Sequence, residues 1–257
     1  MTLPVTTFNS WIIRVNPGSK ARLRLFCFPY AGGSASLFRS WERFLPAQVE
    51  VCAIQLPGRE SRRQEVPFTQ MRPLIKTLAR QMSPYMDMPF TFFGHSLGAL
   101  LCFELARQLR REEKPGPLYL WASACKAPQL PKTARALSQL SDEALVEELR
   151  LFHGTSEMVL QNEELIRIYL PLLRADFQLH ETYLYSPQAP LSCSISAFGG
   201  IHDPDVSCGD LVAWQNQTTG SFTLQMFQGD HFFLKSAETI LLQALRQELS
   251  FLIERLA

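Results

Sequence analysis

Residues 90–103, FTFFGHSLGALLCF, place Ser96 between Gly94 and Gly98, behind an apolar strand-like run and in front of a helix-like run. In the pattern Gly-x-Ser-x-Gly the serine can occupy a sharp turn from a strand into a helix, where larger side chains two positions away would collide. Such a turn exposes the serine oxygen at the carboxyl end of a sheet. It also points the amide of Leu97 and the N-terminus of the new helix at the reacting atom. The stretch predicts that Ser96 is a nucleophile, the alternative being a polar residue in a structural turn.

The segments around this turn alternate between strand-like and helix-like patterns. Strands are predicted at residues 22–28, 49–55, 90–93, 118–124, 191–198 and 221–227, and helices at residues 38–45, 68–82, 97–110 and 237–256. This alternation predicts an α/β fold with a mostly parallel central sheet flanked by helices. A length of 257 residues with 46% hydrophobic content fits a single domain over residues 1–257.

Residues 128–185 interrupt this alternation, because they show helical periodicity and no convincing strand. Ser141 is a plausible N-cap, although Ala144 stands where a capping box would need Glu or Gln. Pro171 is expected to kink or split the helix that contains it. We expect a helical lid inserted into the domain, with a peripheral helical bundle as the alternative.

A serine nucleophile needs a base, normally a histidine held by a carboxylate. His231 follows the last predicted strand, so its loop emerges at the same sheet edge as the serine, and we expect it to be the base. His95 adjoins the serine on the turn and is expected to pack rather than fold back onto it. His153 and His180 lie in the helical insertion, and His202 stands beside a better acid candidate.

The acid is expected from the loop after the preceding strand, because α/β-hydrolases order their triad as serine, acid, histidine. That loop, GGIHDPDV, contains Asp203 and Asp205. Asp203 is favoured because it is nearer the strand end and Pro204 would stiffen the turn behind it. Asp230 is adjacent to His231, poorly placed to orient its ring, and is interpreted as a turn residue.

A second donor to the oxyanion is expected from the loop FPYAGGSAS after the first predicted strand. Gly32 and Gly33 would let the backbone approach a substrate closely. Either Ala31 or Tyr30 would supply the amide. The alternative is an ordinary glycine turn.

Composition restricts the environment and the partners. The 25 basic and 24 acidic residues nearly balance, so the overall charge does not indicate nucleic acid or an acidic membrane surface. The six cysteines are scattered without metal-ligand spacing, which favours reduced thiols in a cytoplasmic protein. The sequence has no secretory leader pattern and no apolar run of about 18 residues. We expect a cytoplasmic monomer without metal.

Six blocks of sequence carry a resemblance to a known family. In order along the chain they are RLFCFPYAGGSASLFRSW, VCAIQLPGRESRR, FTFFGHSLGALLCFELAR, LPLLRADFQLHETY, GGIHDPDV and GDHFFL. Together they span roughly residues 20–235 and resemble the stand-alone type II thioesterases of polyketide and nonribosomal peptide pathways, members of the α/β-hydrolase superfamily. That family is related to the medium-chain thioesterase that works with animal fatty acid synthase.

The resemblance implies hydrolysis of acyl thioesters on the phosphopantetheine arm of an acyl or peptidyl carrier protein, which removes stalled or wrong acyl groups without any cofactor. It assigns the nucleophile to Ser96, the acid to Asp203 and the base to His231, with oxyanion amides at Leu97 and Ala31. The sequence departs from the family at His153 in FHGTSE, where relatives more often have a second glycine. That departure concerns the conformation of the lid segment and not the triad.

Four other functions remain open on the sequence. A product-releasing thioesterase, a general esterase and an acyltransferase would all use the same triad. A carrier-binding accessory protein without activity would have no use for Ser96, Asp203 and His231 together.

Two further groups of side chains have both a functional and a structural interpretation. The stretch PGRESRR contains three arginines, Arg59, Arg62 and Arg63. They could attract a phosphate or an acidic carrier helix. Alternatively, they belong to a solvated or internally paired loop. Four apolar residues of the insertion could line an acyl pocket or pack between helices: these are Met158, Leu160, Leu165 and Leu172.

Overall fold

In the computed structural model of the chain, seven strands of the described residues (10–18, 20–131, 136–152 and 154–256) form one sheet. The strands are β1 (Ile12–Arg14), β2 (Leu23–Phe28), β3 (Val49–Ile54), β4 (Phe90–His95), β5 (Tyr119–Ser123), β6 (Ser194–Gly200) and β7 (Phe222–Phe227). Their order is β1-β3-β2-β4-β5-β6-β7. β1 is antiparallel to β3, and the pairings from β3 to β7 are parallel. The sequence prediction of a mostly parallel central sheet is confirmed.

Helices cover both faces of the sheet. They are α1 (Met71–Met82), α2 (Leu97–Arg111), α3 (Asp142–Phe152), α4 (Glu157–Leu160), α5 (Glu163–Glu181), α6 (Cys208–Val212), α7 (Phe233–Ser236) and α8 (Glu238–Glu254). Every residue of β4 is buried, and its side chains alternate between the faces: Phe92 joins the apolar core under α1 and α2, and Phe93 joins the core under α8. Burial on both sides explains why the central strands are continuous apolar runs.

The helix predicted at residues 38–45 is not a single helix. The backbone forms two short 3-10 helices, Ala35–Phe38 and Trp41–Arg43. Phe38 and Trp41 are both buried in the core under α8. A spacing of three residues suits a 3-10 helix as well as an α-helix, so the apolar pattern did not separate the two.

β1 was missed by the sequence prediction. It has three residues, of which Ile12 is buried, and it pairs with the outer edge of β3 from Ile12 opposite Ile54 to Arg14 opposite Cys52. A strand this short carries too few residues to show a period of two.

The region predicted as a helical insertion contains α3, α4 and α5, between β5 and β6. These helices share a small apolar core of their own, formed by Leu145, Leu149, Leu160, Leu170 and Leu173. Residues 132–135 and His153 lie outside the described residues, and the expectation about His153 and the lid conformation falls there. The function of the insertion as a lid stays a prediction.

The sequence predicted the N-cap of α3 correctly, but its prediction for the interior of α5 was wrong. The Ser141 Oγ accepts a hydrogen bond from the amide of Ala144 at 3.2 Å, as expected of an N-cap. Helix α5 continues from Glu163 to Glu181 through Pro171, so the expectation that this proline splits the helix is wrong. Buried leucines on both sides of the proline hold the two halves in one helix.

The cysteines are free thiols, five of them buried and Cys208 exposed. Burial raises the pKa of Cys52 and of Cys125 to about 12, so both thiols stay protonated and unreactive near neutral pH. Across the described ranges, no helix combines the length and the apolar character that crossing a membrane requires.

A buried ion pair lies at the amino ends of the central strands. Arg24 Nε, on β2, donates to Glu50 Oε2, on β3, at 2.6 Å, and Arg14 Nε donates to Glu50 Oε1 at 2.7 Å. Arg24 and Glu50 are 6% and 1% exposed, and Arg24 also contacts Asp87. Ser96 lies at the opposite, carboxyl ends of the parallel strands.

Glu50→Gln is expected to destabilise the protein without lowering its activity. Glu50→Gln leaves the buried Arg24 paired with Asp87 alone, and losing one partner of a buried ion pair costs about 3 kcal/mol. Urea unfolding measures the loss of stability. Turnover of an acyl thioester by the variant and by the wild type is compared at a temperature where both proteins are fully folded. A stable variant, or a folded variant that turns over more slowly, would contradict this account.

Candidate active site

Ser96 occupies a strained turn between β4 and α2. Its φ and ψ angles are 55° and −117°, in a region that a residue with a side chain rarely adopts. The Ser96 amide donates to the carbonyl of Ser123 on β5 at 2.7 Å, which ties the turn to the neighbouring strand. Strain held in this way marks a turn whose geometry serves the site rather than stability.

The flanking glycines have no room for a side chain. A Cβ at Gly94 would lie 2.3 Å from the carbonyl oxygen of Gly98, and a Cβ at Gly98 would lie 2.2 Å from the carbonyl oxygen of Phe28. Both clashes are with backbone, which cannot move away as a flexible side chain can. The steric reason for the Gly-x-Ser-x-Gly pattern is therefore present in the structure.

Three of the predicted side chains meet at this turn. His231 Nε2 lies 3.0 Å from Ser96 Oγ, and His231 Nδ1 lies 2.8 Å from Asp203 Oδ2. A carboxylate only accepts, so Nδ1 carries the proton and Nε2 is free to accept the proton of the serine hydroxyl. Asp203 follows β6 and His231 follows β7, so both loops come from the carboxyl edge of the sheet.

The Asp203 carboxylate is itself held in place. Its side chain is fully buried, and Oδ1 accepts the amides of Asp205 and Val206 at 2.9 and 3.1 Å. These bonds leave Oδ2 directed at His231, so the loop fixes the orientation of the carboxylate.

The alternative acids lie nearby but have other contacts. Asp205 lines the cavity beside Ser96, and burial raises the pKa of its carboxyl. Asp230 Oδ1 accepts the amide of Phe232 at 2.8 Å, as expected of a turn residue. His202 is exposed on the surface of its loop.

The ligand atoms of Asp203, Asp205 and His231 lie within 4.8 Å of one another, the only such group of possible metal ligands among the described residues. Because Nδ1 of His231 is already hydrogen-bonded to Asp203, the ring nitrogen that faces these carboxylates is occupied by a proton. The geometry therefore favours an Asp–His pair here over a metal centre.

His95 does more than pack. It is buried, its Nε2 lies 2.8 Å from the carbonyl oxygen of His231, and its Nδ1 lies 2.9 Å from Ser123 Oγ. A carbonyl only accepts, so Nε2 carries the proton and the serine hydroxyl donates to Nδ1. Burial, together with the neighbouring His231, lowers the pKa of His95 well below its usual range, which keeps the ring neutral. No local sequence pattern indicates this support of the His231 backbone, because the two residues are 136 positions apart.

The loop after β2 faces Ser96, and Tyr30, Ala31, Ser96 and Leu97 all line the same cavity. The amide of Gly32 donates to Asp176 Oδ2 at 2.7 Å, and the amide of Gly33 donates to the carbonyl of Tyr30 at 2.8 Å. With these two amides in use, Ala31 and Tyr30 remain as the loop's candidates for the second oxyanion donor.

The arginines of PGRESRR follow the structural interpretation at two positions. Arg59 and Arg62 are buried and hydrogen-bonded within the protein, Arg59 to Asp176 and Arg62 to the carbonyl of Gln55. Neither guanidinium is available to an acidic partner. Arg63 is exposed.

The cavity beside Ser96 has a volume of about 480 Å³. Its walls are largely apolar, with contributions from Leu100, Leu149, Phe152, Leu173, Phe177 and Tyr183. Polar side chains also reach it, among them Lys126, Glu148, His180 and Asp205. A cavity of this size and character can hold an acyl chain of several carbons.

The apolar residues that the sequence proposed for this cavity do not line it: these are Met158, Leu160, Leu165 and Leu172. Met158 and Leu165 are exposed, and Leu160 is buried in the core of the insertion. On α5 the cavity is lined by Leu173, Phe177 and His180, which lie three or four residues apart on one face. Leu172, one residue earlier, points toward Gly58 instead.

Comparison with known proteins gives a consistent result. The family model described as "Thioesterase domain" matches residues 23–249. The gramicidin S biosynthesis protein GrsT of Aneurinibacillus migulanus is 43% identical, over 97% of each chain. The solved structure of RedJ, a thioesterase from the prodiginine pathway of Streptomyces coelicolor, is 39% identical with a TM-score of 0.85 and covers 89% of this chain and 91% of RedJ. The structure of the type II thioesterase BorB from the borrelidin cluster is 38% identical with a TM-score of 0.86, over 93% of this chain and 98% of BorB.

Gly98→Ala is expected to abolish most activity, because the added methyl would displace the Phe28 carbonyl or move the turn that holds Ser96. Overpacking of this kind costs about 1–3 kcal/mol of stability. Gly116→Ala is the matched control, since a Cβ at Gly116 would meet nothing within 4 Å. Thermal unfolding and turnover measure the two effects. A Gly98→Ala protein that matches the Gly116→Ala protein in both would disprove the close contact.

Proposed function

The chain belongs to the thioesterase domain family, with type II thioesterases of nonribosomal peptide and polyketide pathways as close relatives, and we propose that it hydrolyses acyl groups from the phosphopantetheine arm of a carrier protein. It is a hydrolase with the α/β-hydrolase fold of its structural neighbours. The observation that carries the proposal is the pair of hydrogen bonds, 3.0 and 2.8 Å, that links Ser96, His231 and Asp203 at the wall of a largely apolar cavity.

Acylation is proposed to begin at Ser96. Its Oγ attacks the thioester carbonyl carbon while His231 Nε2 takes the hydroxyl proton. The negative charge moves to the carbonyl oxygen, where the amides of Leu97 and Ala31 would donate hydrogen bonds. Collapse of this intermediate breaks the carbon–sulfur bond, and the proton on His231 Nε2 passes to the departing sulfur, so phosphopantetheine leaves as the thiol and His231 is neutral again. Because a thiolate is a good leaving group, this proton transfer need not be far advanced when the bond breaks.

Deacylation is proposed to reverse these roles with water as the nucleophile. His231 takes a proton from water, the hydroxyl adds to the acyl-serine, and collapse returns the proton to Ser96 Oγ with release of the carboxylic acid. Throughout, Asp203 holds the ring in the tautomer whose Nε2 can accept a proton. Serine, histidine, aspartate and water balance the reaction, so the proposal requires no metal or organic cofactor.

Removal of stalled or aberrant acyl groups is the specific task that we propose. The cavity volume of about 480 Å³ lies in the ordinary range of ligand sites and has room for an acyl group of several carbons. The relatives support this proposal, because GrsT is a gramicidin S biosynthesis protein, RedJ is a thioesterase of the prodiginine pathway and BorB is a type II thioesterase of the borrelidin cluster. General ester hydrolysis and inactive carrier binding are the alternatives that the following experiment separates from this task.

A carrier protein loaded with acetyl, medium-chain or aminoacyl groups is expected to lose them in the presence of the protein, and to keep them with Ser96→Ala. Loss of the nucleophile should lower the rate at least about 10⁴-fold. Intact mass of the carrier follows the reaction. Rapid turnover of p-nitrophenyl esters with loaded carriers left intact would contradict the proposal, as would carrier binding without turnover.

The identity of the acid is tested by a matched pair of substitutions in one loop. Asp203→Asn is expected to lower kcat about 10³- to 10⁴-fold, because an amide favours the wrong tautomer of His231. Asp205→Asn, two residues away, is expected to change kcat by no more than a few-fold, since the Nδ1 atom of His231 is hydrogen-bonded to Asp203. The reverse ranking, measured as kcat on an acyl thioester, would make Asp205 the acid.

A further inference from the structure

We propose that Arg59 and Asp176 are positioning residues for the oxyanion loop, residues 30–33, so that acyl transfer at Ser96 depends on a carboxylate supplied by α5. The proposal rests on the hydrolysis assigned above to Ser96, and it adds a requirement for residues that do not touch the substrate. Neither residue belongs to the triad or lines the cavity.

The pair contacts the loop backbone from two directions. Asp176 Oδ2 accepts the amide of Gly32 at 2.7 Å, and Arg59 Nη1 donates to the carbonyl of Gly33 at 3.0 Å. The two side chains meet each other through Arg59 Nη2 and Asp176 Oδ1 at 2.8 Å. The loop is thus connected to an ion pair at both a donor and an acceptor.

Two bonds fix the peptide planes on either side of Ala31, one within the loop and one to Asp176. The plane before it is held because the carbonyl of Tyr30 accepts the amide of Gly33 at 2.8 Å. The plane after it is held because the amide of Gly32 donates to Asp176 at 2.7 Å. In a trans peptide the carbonyl and the amide point in opposite directions, so fixing the carbonyl of Tyr30 also fixes the direction of the Ala31 amide.

The pair is too deeply buried to be explained by stability alone. The side chains of Arg59 and Asp176 are 4% and 1% exposed. Removing two charges from water costs several kcal/mol per ion, and apolar residues of similar volume often stabilise a core equally well. What apolar residues cannot do is bind a backbone amide and a backbone carbonyl in fixed directions.

Helix α5 also contacts the loop next to this pair. Tyr169 Oη donates to the carbonyl of Gly32 at 2.8 Å. Gly32 has a φ of 77°, and a Cβ there would lie 2.3 Å from Tyr169 Oη and 2.6 Å from Leu173. Since both Tyr169 and Asp176 are on α5, a displacement of this helix would remove two of the bonds that hold the loop.

Three of the sequence blocks described above meet in this cluster. Gly32 comes from FPYAGG, Arg59 from LPGR and Asp176 from RADF. None of the proposed chemical steps uses LPGR or RADF. In this proposal both stretches position the oxyanion loop.

The test uses Asp176→Asn, Arg59→Gln and the double variant on an acyl thioester of N-acetylcysteamine. Loss of one oxyanion donor lowers kcat about 10²- to 10³-fold, so a donor that is misdirected but present should cost about 10- to 100-fold in kcat. KM should change by less than about threefold, because the oxyanion exists only in the transition state. The double variant should resemble either single variant, because the two residues act as one unit.

A second measurement separates positioning from folding. A trifluoromethyl ketone analogue forms an oxyanion at Ser96, so its affinity should fall by the same factor as kcat/KM in each variant. Glu50→Gln is the matched control, since it breaks a buried ion pair at the opposite sheet edge. It should lose stability and keep both kcat and the affinity for the ketone.

Tyr169→Phe provides a milder variant that keeps both charges. It removes only the hydroxyl that binds the Gly32 carbonyl, so it should fold normally and lower kcat about two- to fivefold. If Asp176→Asn does not fold, Arg59→Gln carries the test. An unchanged kcat in a folded Arg59→Gln protein would then overturn the proposal.

Three results would overturn the proposal directly. They are a folded Asp176→Asn protein with kcat within twofold of the wild type, a raised KM at constant kcat, and an equal loss of kcat in Glu50→Gln. A different result would contradict the proposed function: a wild-type protein that hydrolyses the small thioester and leaves loaded carriers intact.

Discussion

The contact between Gly98 and the carbonyl of Phe28 is the constraint on which the site depends. A Cβ at Gly98 would approach that oxygen to 2.2 Å, so α2 can start this close to β2 only with glycine at this position. The turn then places Ser96 at a φ of 55° above the sheet, with its amide bound to β5. All parallel strands end at this edge, so the loops after β2, β6 and β7 reach the same serine.

Two buried ion pairs lie at opposite ends of the parallel strands. Arg24 and Glu50 join β2 and β3 at their amino ends, where no candidate site residue lies. Arg59 and Asp176 join the loop after β3 to the insertion at the carboxyl edge, and both bind the backbone of the oxyanion loop. His95 is kept neutral in the same region and supports the backbone of His231.

The sequence predicted what depends on local pattern and on strand direction. Apolar strands alternating with helices implied a parallel sheet, and loops at one edge of that sheet brought together Ser96, Asp203 and His231. The sequence could not predict contacts that depend on side-chain packing between distant segments. Asp176 is 144 residues from Gly32, and His95 is 136 residues from His231, so neither contact leaves a local signal.

Smaller errors have equally physical reasons. A shift of one position on α5 rotates a side chain by about 100°, which is why Leu172 was proposed for a cavity that Leu173 lines. The 3-10 helices at Ala35–Phe38 and Trp41–Arg43 share their apolar spacing with an α-helix. The first error concerns which side chain of a helix faces the cavity, and the second concerns the type of helix.

The most direct test of the account is to trap the acyl group on residue 96. Replacing Ser96 by 2,3-diaminopropionate supplies an amine that forms a stable amide in place of the labile ester. Incubation with an acyl-loaded carrier should increase the intact mass of this variant by the mass of the acyl group, and peptide mapping should locate the adduct in residues 90–103. An unmodified variant, under conditions in which the wild type empties the same carrier, would contradict the claim that Ser96 receives the acyl group.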